Sequence, residues 1–297
     1  MTSSNRLVFF GTEQFSVPAL EALIEAGYDI AAIVTKPDAR KGRGNKLFVH
    51  PIKQLGLDHN IPVWQPEKLR DIEQQLASLG TTAAVLVSYG KIIPSSIIDI
   101  FEPIGIINIH PSRLPQYRGP SPIEAAILAG DSTTAISIMK LDQGMDTGPV
   151  FAQQEVVLHG TETKPELYNR LSHAGANLLV HILPDILSGK LKPVNQIESS
   201  DVSITTLITK QDGLLDPSTE DAITLERKIR AYLGYPKTKL TLYDNDVVVT
   251  SAKSTDSLMD GQLVVPCAGQ TYLQIETLIA PSGRTMSGSD FLRGYAK

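Results

Sequence analysis

The amino-acid sequence predicts an α/β protein, a mostly parallel sheet followed by a small all-β domain. Three observations carry this prediction. Apolar runs closed by glycine alternate with amphipathic helical stretches through residue 110, a long helical pattern covers 166–187, and beyond 206 short strands alternate with turn signals.

Taken in order, RLVFFG (6–11) is an apolar strand ended by glycine, and SVPALEALIEAG (16–27) carries Leu20, Leu23 and Ile24 at helical spacing before Gly27. YDIAAIVT (28–35) completes a strand-helix-strand unit, which requires parallel neighbouring strands. Helical LRDIEQQLASLG (69–80) precedes the strand TTAAVLVSYG (81–90), and PSSIIDI (94–100) precedes GIINIH (105–110). Such strands are apolar along their whole length, as in sheets covered on both faces. A helix at 121–131 leads to the strand TTAISIMKLD (133–142), and GPVFAQQEVVL (148–158) is expected to pair antiparallel with it. The first glycine turn, GTEQFS, is not a GxGxxG fingerprint, so the expectation is a Rossmann-like sheet without a nicotinamide site. After the polar stretch LKPVNQIESSDVS (191–203), a helix at 219–234 is followed by strands at 237–243, 246–253, 261–267 and 272–279, the set of a small barrel or sandwich.

Composition narrows the class. With 42% apolar and 20% charged residues in 297, and no apolar run near the ~20 residues that span a bilayer, the sequence reads as a globular protein. The segment MTSSNRLVFFG lacks the pattern of a signal peptide, so a cytoplasmic location is expected. Cys267 is the single cysteine, which excludes an internal disulfide and a cysteine-cluster metal site and reads as an inert thiol. The isolated histidines show no metal-ligand spacing, and no metal is expected. Net charge is −5, so contact with nucleic acid requires a local patch. TKPDARKGRGNK (35–46) supplies one, with Lys36, Arg40, Lys41, Arg43 and Lys46 against Asp38.

The chemistry concentrates in NIHPSRLPQYRGPSP (108–122). If GIINIH is a parallel strand, Asn108 and His110 stand at its carboxyl end, where open α/β sheets bind ligands. Two residues apart, they share a face, while Ile107 and Ile109 point the other way. An amide and an imidazole converging on one point suit a developing oxyanion, and no nucleophilic cysteine or GxSxG serine lies nearby. The loop LDQGMDTG (141–148) offers Asp142 and Asp146, one of which can orient His110 or raise its basicity. In a right-handed wind, the strand before that loop lies beside the one ending in His110.

NIHPSRLPQYRG followed by LDQGMDTG resembles the signature of the folate-dependent formyltransferases. The resemblance implies Asn108, His110 and Asp146 as catalytic residues, and 10-formyltetrahydrofolate as co-substrate. It implies folate contacts at Tyr89, Gly90, Ile92, Ile93, Ser112, Arg113, Leu114, Pro115 and Asp142. Within the family, GTEQFSVPALEAL, VTKPDARKGRGNKL, VSYGKIIP and KIRAYLGYP are similar to the members that act on tRNA. That branch implies initiator methionyl-tRNA as formyl acceptor, translation initiation as the process, and Arg40, Lys41, Arg43 and Lys46 as tRNA contacts.

The implied organisation is a formyltransferase catalytic domain at 1–190, a linker at 191–206 and an OB-like tRNA-binding domain at 207–297, in a monomer. Two departures stand out: Arg113 replaces an apolar residue of the family's Ser-Leu-Leu-Pro, and residues 201–297 carry ten Lys/Arg against twelve Asp/Glu. An acidic domain grips phosphates only through a local edge, for which Arg227, Lys228, Arg230, Lys237 and Lys239 are the candidates. The alternatives are an N-formyltransferase acting on an amino sugar nucleotide, and a noncatalytic RNA-binding protein on the same fold.

Overall fold

The computed structural model describes residues 5–41, 46–197 and 201–296, with backbone alone at 39–41 and 46–48. It forms two compact units. One comprises Met1–Gly119, Thr134–Val156 and Tyr168–Ile204; the other comprises Pro120–Thr133, Val157–Leu167 and Thr205–Lys297.

The first unit is built on β1 (Arg6–Gly11), α1 (Val17–Glu25), β2 (Asp29–Val34), the hairpin β3 (Ala39–Lys41) and β4 (Lys46–Phe48), α2 (Pro51–Asp58), β5 (Val63–Trp64), α3 (Glu73–Ser78), β6 (Ala83–Val87), α4 (Ser95–Ile100) and β7 (Gly105–His110). Along the chain then come α5 (Pro122–Ala129), which belongs to the second unit, and β8 (Thr133–Lys140), β9 (Val150–Val157) and α6 (Lys164–Leu187). The sheet order is β5-β2-β1-β6-β7-β8-β9, parallel from β5 through β7. Strand order reverses at β1, so the crevice of this sheet opens beyond the carboxyl ends of β1 and β6, next to β7.

Burial explains the alternation. Val8, Phe10, Ala84 and Ile106 form one apolar face with α3 and α4 residues Leu76, Ile97 and Ile98. On the other face Gly175 of α6 lies so close that a Cβ there would stand 2.6 Å from Ile109 Cγ2. Ile109 is therefore committed to α6, which turns Asn108 and His110 to the side of Ile106, past the carboxyl end of the strand's apolar part.

One expectation needs correction. β8 lies beside β7 but antiparallel, with Asn108 opposite Met139 and His110 opposite Ser137. The physical reason is that α5 belongs to the second unit and is not a crossover helix of the first, so the right-handed parallel crossover is not made. The β8–β9 hairpin closes at both ends, by Lys140 N–H to Pro149 O at 2.8 Å and Leu158 N–H to Ser132 O at 2.8 Å.

In the second unit α7 (Ala222–Ala231) packs with β10 (Thr238–Leu242), β11 (Asn245–Thr255), β12 (Val264–Cys267), β13 (Thr271–Ile279), β14 (Thr285–Ser287) and α8 (Gly288–Tyr295). The sheet is antiparallel, β10-β11-β13-β12 with β14 on β13, curled in the OB-like manner around Leu225, Ile229, Val249, Leu273 and Phe291. Asp221 caps α7 by accepting from Thr224 N–H at 2.7 Å. The left-handed pair Tyr243 and Asp244, φ +48° and +60°, turns β10 into β11.

Candidate active site

Asn108 and His110 are each 5% exposed at the end of β7. Among the described residues, the Asn108 carboxamide has no hydrogen-bond partner within the chain. The group is not sealed in the core, since neither of its amide atoms is among the fully buried atoms left without a partner. Its donor is available to something that arrives.

His110 is held from two sides. Nε2 lies 3.0 Å from the Tyr117 carbonyl, which can only accept, so this nitrogen carries the proton of that bond. Nδ1 stands 3.6 Å from Asp146 Oδ2, itself fixed by Gly119 N–H at 2.7 Å. Both supporting residues are left-handed, Tyr117 at φ +55° and Asp146 at φ +54°. Non-glycine residues in that region cost on the order of 1–3 kcal/mol and persist where the surroundings over-determine them.

The two aspartates have separate work. Asp142 turns inward on its own loop, accepting from Thr147 Oγ1 at 2.9 Å and Gly144 N–H at 3.1 Å, while Asp146 alone reaches His110. Gly148 permits this path, since a Cβ there would meet Lys140 O at 1.9 Å.

The residues expected around folate divide into a wall and a loop. Ser112 is fully buried, donates to Gln116 O at 2.6 Å, and receives Ser137 Oγ on its own carbonyl at 2.6 Å. Leu114 is buried beside Pro115, with its carbonyl accepting from Gln153 Nε2 at 2.8 Å. Arg113 is ion-paired with Glu155 of β9, both half exposed, which accounts for the polar residue in this wall. Tyr89 and Ile93 turn into the apolar core, where burial pushes the Tyr89 phenol up to about 12. What Tyr89 offers a ligand is therefore backbone, and its carbonyl already accepts from Thr12 Oγ1 at 3.1 Å. Gly90, at φ +67°, makes room for Lys36 Nζ, and Ile92 is 92% exposed.

Arg40, Lys41 and Lys46 fall on the β3–β4 hairpin, with Lys41 opposite Lys46, whereas Arg43 lies outside the described residues. Asp38 is withdrawn from this patch: hydrogen bonds from Lys53 at 2.5 Å and Gln65 at 2.9 Å hold its carboxyl below the usual range. The expected basic edge of the second unit is partly neutralised, because Lys228 pairs with Glu220 and Arg230 with Glu226, and Arg227 donates to Ala129 O at 3.0 Å. The described residues contain no group of three or more His, Cys, Asp or Glu side chains able to hold a metal, and no helix long and apolar enough to cross a membrane.

Sequence reasoning missed the supports. Tyr117 and Gly119 act through their backbone, and Gln196, from the stretch expected to be a linker, donates to Asp146 O at 2.7 Å. Most of that stretch, up to Ile204, falls in the first unit: Val194 bridges Val150, and Ser203 Oγ accepts from Tyr117 N–H at 2.9 Å.

Comparison with known proteins gives the same picture. Residues 5–183 match the formyl transferase family and residues 207–296 its C-terminal domain. A methionyl-tRNA formyltransferase of Halorhodospira halophila is 36% identical over 97% of this chain and 96% of its own length. One from Myxococcus xanthus is 37% identical over 99% and 96%. Among solved structures, an N-formyltransferase from Helicobacter canadensis, in complex with folinic acid and dTDP-3-aminofucose, superposes with a TM-score of 0.69 at 15% identity, covering 91% of this chain and 98% of its own. By the match of both domains and by relatives of this identity along nearly the whole chain, the protein belongs to the formyl transferase family.

Proposed function

We propose that this chain transfers a formyl group from 10-formyltetrahydrofolate to the α-amine of methionine on initiator tRNA. The acceptor follows from relatives named methionyl-tRNA formyltransferase that align along nearly the whole chain. The chemistry rests on one observation above all, an unpartnered Asn108 carboxamide on the same strand face as a His110 that is hydrogen-bonded at Nε2 and faces the Asp146 carboxylate at 3.6 Å. The amino sugar nucleotide reading has support only from neighbours such as the Helicobacter canadensis enzyme, whose 15% identity speaks to fold.

The residues present fit a folate. The loop after β6 follows a strand at the topological crevice and exposes Ile92 as an apolar surface that a flat aromatic ring would cover. When bound, the folate supplies an activated one-carbon acyl group. Asn108 donates an N–H to the formyl oxygen as negative charge develops there. His110 joins it by sharing the Nε2 proton now given to Tyr117 O, and Asp146 keeps the ring in place and takes part in removing the proton of the attacking amine. Arg40, Lys41, Arg43 and Lys46 contact tRNA phosphates, as a dense run of positive charge is suited to do.

The test is direct. Purified protein with 10-formyltetrahydrofolate should formylate methionyl-tRNA and leave amino sugar nucleotides untouched; the reverse preference would sink this reading.

A further inference from the structure

Gln196 divides all of its side-chain hydrogen-bonding capacity between Arg118 and the loop that carries Asp146. Its amide oxygen accepts from Arg118 Nε at 3.0 Å and Nη2 at 2.8 Å, and its amide nitrogen donates to Asp146 O at 2.7 Å and Gly148 O at 2.8 Å. A carboxamide has two donors and two acceptor sites, so none is left over. The orientation is not arbitrary, since the guanidinium can only donate and the two carbonyls can only accept.

These bonds close a ring. Gly119 N–H holds the Asp146 carboxylate, Gln196 holds the Asp146 carbonyl, Arg118 holds Gln196, and Arg118 is bonded covalently to Gly119. Both groups that face His110 are carried on this ring, Asp146 by its side chain and Tyr117 as the residue before Arg118. Arg118 is 5% exposed, and both facing residues are in left-handed conformations that the chain would otherwise leave.

Resting on the formyl-transfer reading above, we propose that Gln196 is a positioning residue for that reaction: it sets the place of Asp146 and, through it, of His110. Gln196 touches neither substrate; its effect runs through Asp146.

The experiment is a mutant cycle on the full chain, assayed by formylation of methionyl-tRNA. Gln196→Met keeps the length and removes every hydrogen bond. Gln196→Glu keeps the acceptor for Arg118 and removes both donors to the loop carbonyls. Each should lower kcat about 10–100-fold, the scale of a misplaced catalytic group, with both KM values within about twofold of wild type. In an Asp146→Asn background, adding Gln196→Met should change kcat less than about twofold, because the two act as one unit. Multiplicative losses in the double variant, or a rise in KM at wild-type kcat, would overturn the inference. If Gln196→Met does not fold, the same cycle is read with Gln196→Glu. A wild-type protein inactive on methionyl-tRNA refutes the functional reading itself, whereas an active wild type with fully active Gln196 variants refutes this inference alone.

Discussion

Asn108→Ala tests the proposed oxyanion donor. In most buried sites, truncating an amide orphans the groups bonded to it and confuses a catalytic loss with a structural one. Here the carboxamide has no partner among the described residues, so alanine leaves nothing newly unpaired and the fold is expected to keep its thermal midpoint. Removing one preorganised oxyanion donor costs about 10²–10³ in kcat, or ~2.7–4 kcal/mol of transition-state stabilisation. KM for each substrate should stay close to wild type, because the donor strengthens its bond only as charge develops. The assay is steady-state formylation of methionyl-tRNA with each substrate varied in turn, alongside thermal unfolding of both proteins. A kcat loss below tenfold would refute the assignment. A loss carried wholly by KM would make Asn108 a ground-state contact instead, and a large drop in thermal midpoint would make it structural.

Gly175→Ala should cost about 1–3 kcal/mol in denaturant unfolding, because its Cβ would stand 2.6 Å from Ile109 Cγ2 in an overpacked contact; if a double-mutant cycle with Ile109→Ala, which removes that methyl, shows no coupling, the contact is not the cause. Asp38 supplies a pH prediction: its folded pKa lies below the ordinary 3.8, so its bonds to Lys53 and Gln65 contribute stability that is complete above that value and is lost as pH falls through the lower, folded value. The stability gap between wild type and Asp38→Asn, measured by urea unfolding, should therefore narrow below about pH 3.8, and a gap independent of pH would contradict the shift. Arg43→Ala should weaken tRNA use and reduce the salt slope of binding by about one, with folate affinity intact; equal slopes for both proteins would remove Arg43 from the phosphate contacts.

How far the fold was legible follows from what each prediction used. The parallel strands were readable because sheets covered on both faces demand continuous apolar runs, as in AAVLV and GIINIH. The direction of β8 was not, because it depends on where α5 packs, and α5 joins the unit built from residues beyond 204. Helical periodicity shows that α5 exists and says nothing of its neighbour. The placement of Asn108 and His110 on one face needed only the two-residue pleat, and the structure gives it a cause in Ile109 and Gly175.

The supports were hidden for a different reason. A catalytic group is chosen for side-chain chemistry, which the sequence spells out; a support is chosen for where it stands, which the sequence encodes only through the whole fold. Tyr117 serves His110 with a carbonyl that any residue possesses, and Gln196 meets Arg118 across 78 positions from a stretch with no periodicity. Asp142 and Asp146 illustrate the same division inside one motif. Both are acids in a glycine-rich loop, yet Thr147 and Gly144 occupy the first and only the second reaches His110. What separates them is the left-handed turn at Asp146 that Gln196 and Gly119 hold, so the choice between two equivalent carboxylates is made by hydrogen bonds to backbone and not by the acids themselves.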